Sequence, residues 1–343
     1  MLKNCIIISV LFLSVFNTAL WSESGVLSYL EGRVTLERSG SPQKPAEIGD
    51  TLVSGDTLYT DSKSFAEVEL ASGSTLSIKE GSVFNFGEIA DNDSKSGKRG
   101  FFRVLLGNVS FKFKNLLREP EVGTPLAVLA VRGTDFTVYT APDGASMTVV
   151  SDGLVEVSSG GQTVLLAADQ GVEVAAGLGL GETFDARKGF VRYDAFVQQA
   201  LERSDSDPVG SLNAIAEQFY EYAQDGKFFL DSWKTNYEEV QKTRSQIDLT
   251  REKKGDEAAA EIMQTIMKPL QLRSLDLNRT YRFNFISGLY LRRYVISSYY
   301  IRFRTKFLTD TGNPEWQKFL EAYKDVLDVY DNQLIPFLED EDL

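Results

Sequence analysis

Phe65-Ala66-Glu67-Val68-Glu69-Leu70, then Ser72-Gly73-Ser74, then Thr75-Leu76-Ser77-Ile78: apolar and polar side chains alternate, a turn intervenes, and the alternation resumes. A period of two sends successive side chains to opposite faces of a strand, so this stretch reads as a hairpin with one face in a core. Working outward, Gly81 punctuates before Val83-Phe84-Asn85-Phe86, and further strand candidates are 101–106, 108–113, 127–131, 134–139, 146–151, 154–158, 162–167 and 171–175. Asp152-Gly153 and Gly160-Gly161 each separate two alternating runs, and glycine supplies the positive φ of hairpin turns. Many short strands with turns between them predict a sandwich, a barrel or a flattened β-roll, with no helical crossover for a parallel α/β sheet. The polar run 91–98 reads as a surface loop. Its Asp91 and Asp93 open a calcium-loop pattern that Lys95 interrupts and no downstream glutamate completes.

The β pattern ends at Ala175-Ala176-Gly177-Leu178-Gly179-Leu180-Gly181, and residues 177–183 are read as a Gly-rich linker. Beyond it the period changes from two toward 3.6. Trp316, Phe319, Leu320, Tyr323, Val326, Leu327, Tyr330, Leu334 and Phe337 form a helical stripe that starts near Pro314. Leu212, Ile215, Ala216, Phe219 and Ala223 make a second face, and Trp233, Tyr237, Val240, Arg244 and Ile247 begin a third. That third helix is expected to break at Gly255-Asp256, with Pro269 as a further terminus. In 278–307, Arg302-Phe303-Arg304 alternates as a strand does, while Leu289, Arg293 and Ile296 repeat at helical spacing; the helical flanks favour one long helix. The expected fold is therefore a mainly β N-terminal domain, residues 23–176, followed by an all-α C-terminal domain, residues 184–343.

The 343 residues carry 49 acidic and 36 Lys and Arg side chains, a formal charge of -13, and no histidine. That balance argues against a nucleic-acid partner, and the missing histidine excludes Ser-His, Cys-His and His-metal chemistry in this chain. Residues 1–22 have Lys3, the apolar stretch Ile6–Phe16 and small polar residues after it, the order of a cleaved signal peptide. The single cysteine, Cys5, lies inside that segment, so the expected mature chain has no disulfide and no cysteine-ligated metal. The expected location is periplasmic.

Gly55-Asp56-Thr57-Leu58-Tyr59-Thr60 is followed by Ala66-Glu67-Val68-Glu69-Leu70, by Gly123-Thr124-Pro125-Leu126-Ala127-Val128, and by Val131-Arg132-Gly133-Thr134-Asp135-Phe136. Val149-Val150-Ser151-Asp152-Gly153-Leu154-Val155-Glu156-Val157 and Gly171-Val172-Glu173-Val174 complete the order. Over residues 49–175 this resembles the FecR-type periplasmic β domain of bacterial envelope proteins. The resemblance implies a sandwich or β-roll and a sensing, binding or scaffolding role, with no catalytic residue to carry over. Some members pass a metal-uptake signal to a sigma factor. An export signal so close before the β domain leaves that role unexpected here.

The candidate interaction residues are Arg132 and Asp135 around Gly133, and Arg292, Arg293, Arg302 and Arg304 in the aromatic segment 278–307. Arg132 and Asp135 read first as a pair or strand brace, and alternatively as a recognition patch in which a guanidinium fork meets a carboxylate or phosphate. Between Lys268 and Lys306 nine basic residues face one acidic residue, Asp276, whereas Phe307–Leu343 holds ten acidic and two basic residues. Complementarity between those segments is the simpler reading, and contact with an envelope partner the other. Glu339-Asp340-Glu341-Asp342 reads as an acidic tail. There is no nucleophile elbow, Walker loop or dinucleotide fingerprint, and Ser41-Pro42-Gln43-Lys44 lacks the motifs that accompany a catalytic Ser-x-x-Lys. The expectation is a non-enzymatic protein-interaction or scaffolding module without cofactor or metal. A peptidoglycan- or envelope-polysaccharide-binding module is the alternative. The partner is expected to be an envelope protein, or else a cell-wall glycan or an anionic membrane surface.

Overall fold

The computed structural model describes residues 24–87, 101–114, 120–187 and 193–336. The signal-peptide reading, most of the 91–98 loop, Phe337 and the acidic tail lie outside these residues.

Among the described residues, alternation becomes a sheet of sixteen strands. They are β1 (Gly25–Glu31), β2 (Val34–Glu37), β3 (Lys44–Pro45), β4 (Thr51–Leu52), β5 (Thr57–Thr60), β6 (Phe65–Leu70), β7 (Thr75–Ile78) and β8 (Val83–Phe86). Then come β9 (Phe101–Lys112), β10 (Glu121–Gly123), β11 (Val128–Thr140), β12 (Ser146–Ser159), β13 (Gln162–Ala167), β14 (Gln170–Ala175), β15 (Gly179–Leu180) and β16 (Phe184–Asp185). The principal path runs β15-β14-β12-β11-β10-β9-β7-β6-β1-β4, and β9 and β10 pair in parallel while the other pairs are antiparallel. The opening hairpin is β6–β7, with Val68 opposite Leu76 and both fully buried.

Three long strands replace three pairs of expected short ones. Residues 101–106 and 108–113 fall largely on β9, 127–131 and 134–139 largely on β11, and 146–151 and 154–158 on β12. Gly107, Gly133 and Gly153 all have positive φ, as turn glycines do, yet pairing continues on both sides of each. They are bends inside strands: an extra residue between paired stretches kinks a strand without ending it. On β9 the bend also changes neighbours. Phe102–Leu106 faces β8, whereas Gly107–Lys112 faces β11. Gly160-Gly161, by contrast, is the expected hairpin turn, with both φ positive and Ser159 opposite Gln162.

Inside the folded sheet six phenylalanines pack together. Phe111 stacks on Phe136 with centroids 4.8 Å apart, Phe86 meets Phe102 edge-on at 5.1 Å, and Phe84 and Phe113 complete the group. Offset and edge-on arrangements of this kind add to the burial of the rings. The segment 177–183, expected as a linker, is tied to the sheet: Gly179 and Leu180 pair with Ala175 and Val174, and the following β16 pairs with β14.

The helical half comprises α1 (Tyr193–Ser206), α2 (Pro208–Lys254), α3 (Asp256–Ile262), α4 (Lys268–Tyr290), α5 (Ser297–Lys306) and α6 (Pro314–Val329). Three wide π-helical turns continue helices, π1 (Met263–Met267), π2 (Leu291–Ile296) and π3 (Tyr330–Leu334). Asp207 caps α2 by accepting from the Gly210 amide, Pro208 occupies the first turn, and Gly255 ends the helix with φ +89°. The faces around Leu212 and Trp233 therefore belong to one helix. Pro269 does not end a helix: it sits in the first turn of α4, after π1. Segment 278–306 is helical throughout, running from α4 through π2 into α5, which ends one residue before Phe307. The stripe from Trp316 lies on α6, where Phe319 stacks on Phe303 at 4.7 Å and Tyr323 meets Tyr300 at 4.8 Å.

A single apolar cluster passes from the sheet into the helices, joining Phe102, Leu126 and Val131 to Phe219, Tyr222, Phe285 and Val295. The bend between β11 and β12 is sensitive to a single methyl group. A Cβ at Gly153 would press into Thr134 and the Gly133 carbonyl, whereas one at Gly133 meets nothing within 4 Å. Both positions have left-handed φ, so Gly133→Ala is expected to cost about 1 kcal/mol and Gly153→Ala about 2 kcal/mol or more. Denaturant unfolding of the two variants measures the difference, and equal losses would contradict a bend closed by direct backbone contact.

Candidate functional site

The seam between sheet and helices brings together side chains far apart in sequence. Tyr59 on β5 donates to Glu37 Oε2 on β2 at 2.6 Å, and its oxygen lies 3.0 Å from the Tyr294 hydroxyl on π2. With its own proton committed to Glu37, Tyr59 accepts from Tyr294. Arg293, next on π2, donates to both Glu37 oxygens at 2.8 and 3.1 Å, and Gln43 adds a fourth hydrogen bond at 3.2 Å. Burial works to raise the Glu37 carboxyl, but the hydrogen bonds from Tyr59, Arg293 and Gln43 outweigh it and hold the group below its ordinary range. Burial and the link to Glu37 push the Tyr59 phenol far above its ordinary value. Both phenols stay protonated at any physiological pH.

A second contact lies in the Thr124-Pro125 turn. The buried Tyr222 hydroxyl of α2 donates to the Pro125 carbonyl, and burial drives that phenol upward as well. Thr124 Oγ1 accepts from the amides of Leu126 and Ala127 and meets Ser146 Oγ at 3.1 Å, which fixes the turn under the helix. Phe101 meets Phe283 of α4 at 6.0 Å.

Beside these contacts opens a cleft of about 540 Å³. One side comes from α4 and π2 and the other from the sheet, with Ser39, Gly55, Asn85 and Arg103. Arg103 is nearly buried and stacks over Phe101 at 4.2 Å and Tyr290 at 5.4 Å, so two rings share its charge. Arg282, Arg292 and Arg293 line the helical side, and none of the described lining residues is acidic. The lining contributed by π2 and π3 adds interest, because wide turns of this kind concentrate at functional sites.

Of the six residues singled out from sequence, only Arg292 and Arg293 line this cleft. Arg302 pairs with Asp205 at the end of α1 at 3.0 Å and bonds the Ser204 hydroxyl, while Arg304 is exposed with no described ion-pair partner. Arg132 is exposed on β11 beside the Gly133 bend, and Asp135 pairs with Lys112 of β9 at 3.3 Å. The basic segment thus finds its described acidic partners on β2 and α1. It meets α6 through aromatic rings.

Glu37, Tyr59, Arg103 and Arg282 escaped the sequence reading. Arg103 alone left a signal, as one charge inside the apolar run Phe101–Leu106.

Residues 56–156 match the family described as FecR protein. The FecR match runs from the turn before β5 into β12 and includes the Thr124-Pro125 turn that receives Tyr222. It suggests a regulatory signalling or protein-interaction role. No curated protein matches the chain. Two crystal structures of a protein provisionally described as an anti-sigma factor from Parabacteroides distasonis ATCC 8503, at 2.50 and 1.65 Å resolution, are similar to it. Identity is 17% and 18% and the TM-scores are 0.32 and 0.33, over 38% of this chain and 59% of theirs. The chain therefore matches less than two thirds of those proteins' length.

The Glu37 network sets an acid-sensitive increment of stability. Because the folded carboxyl titrates below its ordinary value, its contribution is fully present above the unfolded pKa and is lost as pH falls through the folded one. Glu37→Gln is expected to cost about 1 kcal/mol at neutral pH, with the gap to wild type narrowing as pH falls below the ordinary carboxylate range. Urea unfolding from neutral pH to below that range measures it. A gap that persists unchanged at the acid end would assign the loss to packing.

Proposed function

We propose that the protein is an exported, non-enzymatic interaction module of the bacterial envelope, whose helical half engages a protein partner and whose FecR-type β half holds that surface in place. The observation that carries this reading is the helical hairpin formed by the second half of α2 with α3, π1 and the start of α4. Its interior is a cluster of its own, Val240, Ile247, Ala259 and Met267, separate from the core shared with the sheet. Asn236 donates to the Leu270 carbonyl at 3.0 Å and ties the two arms together. At 1.5 Å per residue the 47 residues of α2 span roughly 70 Å, so the helix reaches from the seam well into the hairpin.

Outside that interior the hairpin exposes Tyr237, Leu249, Ile266 and Leu272, each between 43% and 53% exposed. Exposed apolar side chains along a rigid arm are available for a protein partner to cover. Recognition there needs no covalent step. Among the described residues no group of three or more acidic, histidine or cysteine side chains is placed to hold a metal, and no helix is long and apolar enough to cross a membrane.

Photo-crosslinkers placed at Leu249 and Leu272 in cells are expected to capture the same envelope protein, and one placed at Gly160 on the β12–β13 turn is not. Ile266→Ser is expected to reduce capture severalfold at an unchanged melting temperature. Mass spectrometry of the purified mature protein is expected to find an N-terminus close to Glu23. Intact Met1 would overturn export by cleavage. Failure to crosslink, together with sedimentation on purified peptidoglycan without other proteins, would replace the protein partner with a polysaccharide.

A further inference from the structure

The cleft at the seam has a chemistry that the hairpin lacks. Arg292 donates to a neutral group, the Ser297 hydroxyl, at 3.2 Å and forms no ion pair with a described residue. Its charge is nevertheless felt inside the cleft: burial raises the Tyr330 phenol, and Arg292 is the group that opposes the rise. Arg293 is neutralised by Glu37, but Glu37 stands outside the lining, so the wall seen from within is cationic. Ile286 and Leu289, both half-buried, supply an apolar wall next to these guanidinium groups. A volume of about 540 Å³ is that of a small-molecule site.

We infer that the cleft binds a small organic anion, with a phosphate or carboxylate head at Arg292 and an apolar body against Ile286 and Leu289. A guanidinium offers paired donors to either head, and its weak hydration suits a half-buried position. The apolar body accounts for the other wall, which a bare inorganic ion would leave wet. π2 brings Arg292 to the mouth of the cleft while the neighbouring Arg293 and Tyr294 hold the sheet, so one wide turn both positions the donor and anchors it.

Calorimetric titration of the mature full-length protein at low salt tests the assignment with phenyl phosphate, phenylacetate and benzyl alcohol. At least one anion is expected to bind at one site per chain, benzyl alcohol at least tenfold more weakly, and the anion's affinity to fall as salt screens the arginines. The tighter of the two anions identifies the head as phosphate or carboxylate. Arg292→Gln is expected to weaken binding about tenfold. Ser39→Asp, an exposed turn position on the opposite lip, places a carboxylate in the cleft without disturbing the core and is expected to weaken it at least as much. No saturable binding, equal binding of benzyl alcohol, or affinity unchanged by Ser39→Asp in a folded protein would overturn the site. Each of these leaves the hairpin crosslinks unaffected, so the two readings fail separately.

Discussion

The hydrogen bond from the buried Tyr222 hydroxyl to the Pro125 carbonyl is the contact on which the relation of helices to sheet depends. A phenol removed from water requires an acceptor, and a carbonyl in a tight turn requires a donor. Each satisfies the other only when α2 lies across the Thr124-Pro125 turn. Around that point Gly144 admits Val295, Phe283 covers Phe101, and Tyr294 reaches Tyr59. The polar bonds specify the position and the apolar cluster supplies the free energy. The stretch that matches FecR, residues 56–156, thus includes the Thr124-Pro125 turn on which α2 rests.

The same seam explains what could be read from sequence. Alternation on Phe65–Ile78 and the stripe on α6 are local, so they survive without knowledge of any partner. Asp152-Gly153 misled as a turn because a bulge and a hairpin turn ask for the same positive φ. Whether the strand continues is decided by the strands beside it, which the local sequence does not contain. Pro269 misled in a related way. Proline lacks an amide donor and crowds the carbonyl four residues back, and here the helix runs on through the wider π1 turn just before it. Glu37 and Arg293 lie 256 residues apart, and no spacing rule links a strand carboxylate to a guanidinium so distant.

The opposite charges of residues 268–306 and 307–343 suggested that the two segments pair with each other. The helices do meet, but by Tyr300, Phe303 and Phe307 against Trp316, Phe319 and Tyr323. When two amphipathic helices bury their apolar stripes together, their charged flanks turn outward and find whatever other element lies there. For Arg293 that element is β2, and for Arg302 it is the end of α1. Charge bias along a chain therefore indicated which surface would be cationic without indicating which partner would meet it.

Wide turns at π2 and π3 place this cationic surface at the junction itself. An ordinary turn closes its backbone bonds four residues back, whereas the wider turn shifts the side chains that follow relative to the rest of the helix. At π2 it allows consecutive residues to serve three purposes: Arg292 faces the cleft, Arg293 and Tyr294 hold the sheet, and Val295 enters the core. A ligand drawn to Arg292 would act on the turn whose next two residues fasten the helices to β2 and β5. Occupancy of the cleft and firmness of the seam are thereby linked through one short stretch of backbone. Two helices join this seam to the hairpin's apolar cluster, α4, which continues from the turn, and α2, whose Tyr222 lies at the seam and whose Val240 and Ile247 lie in the cluster.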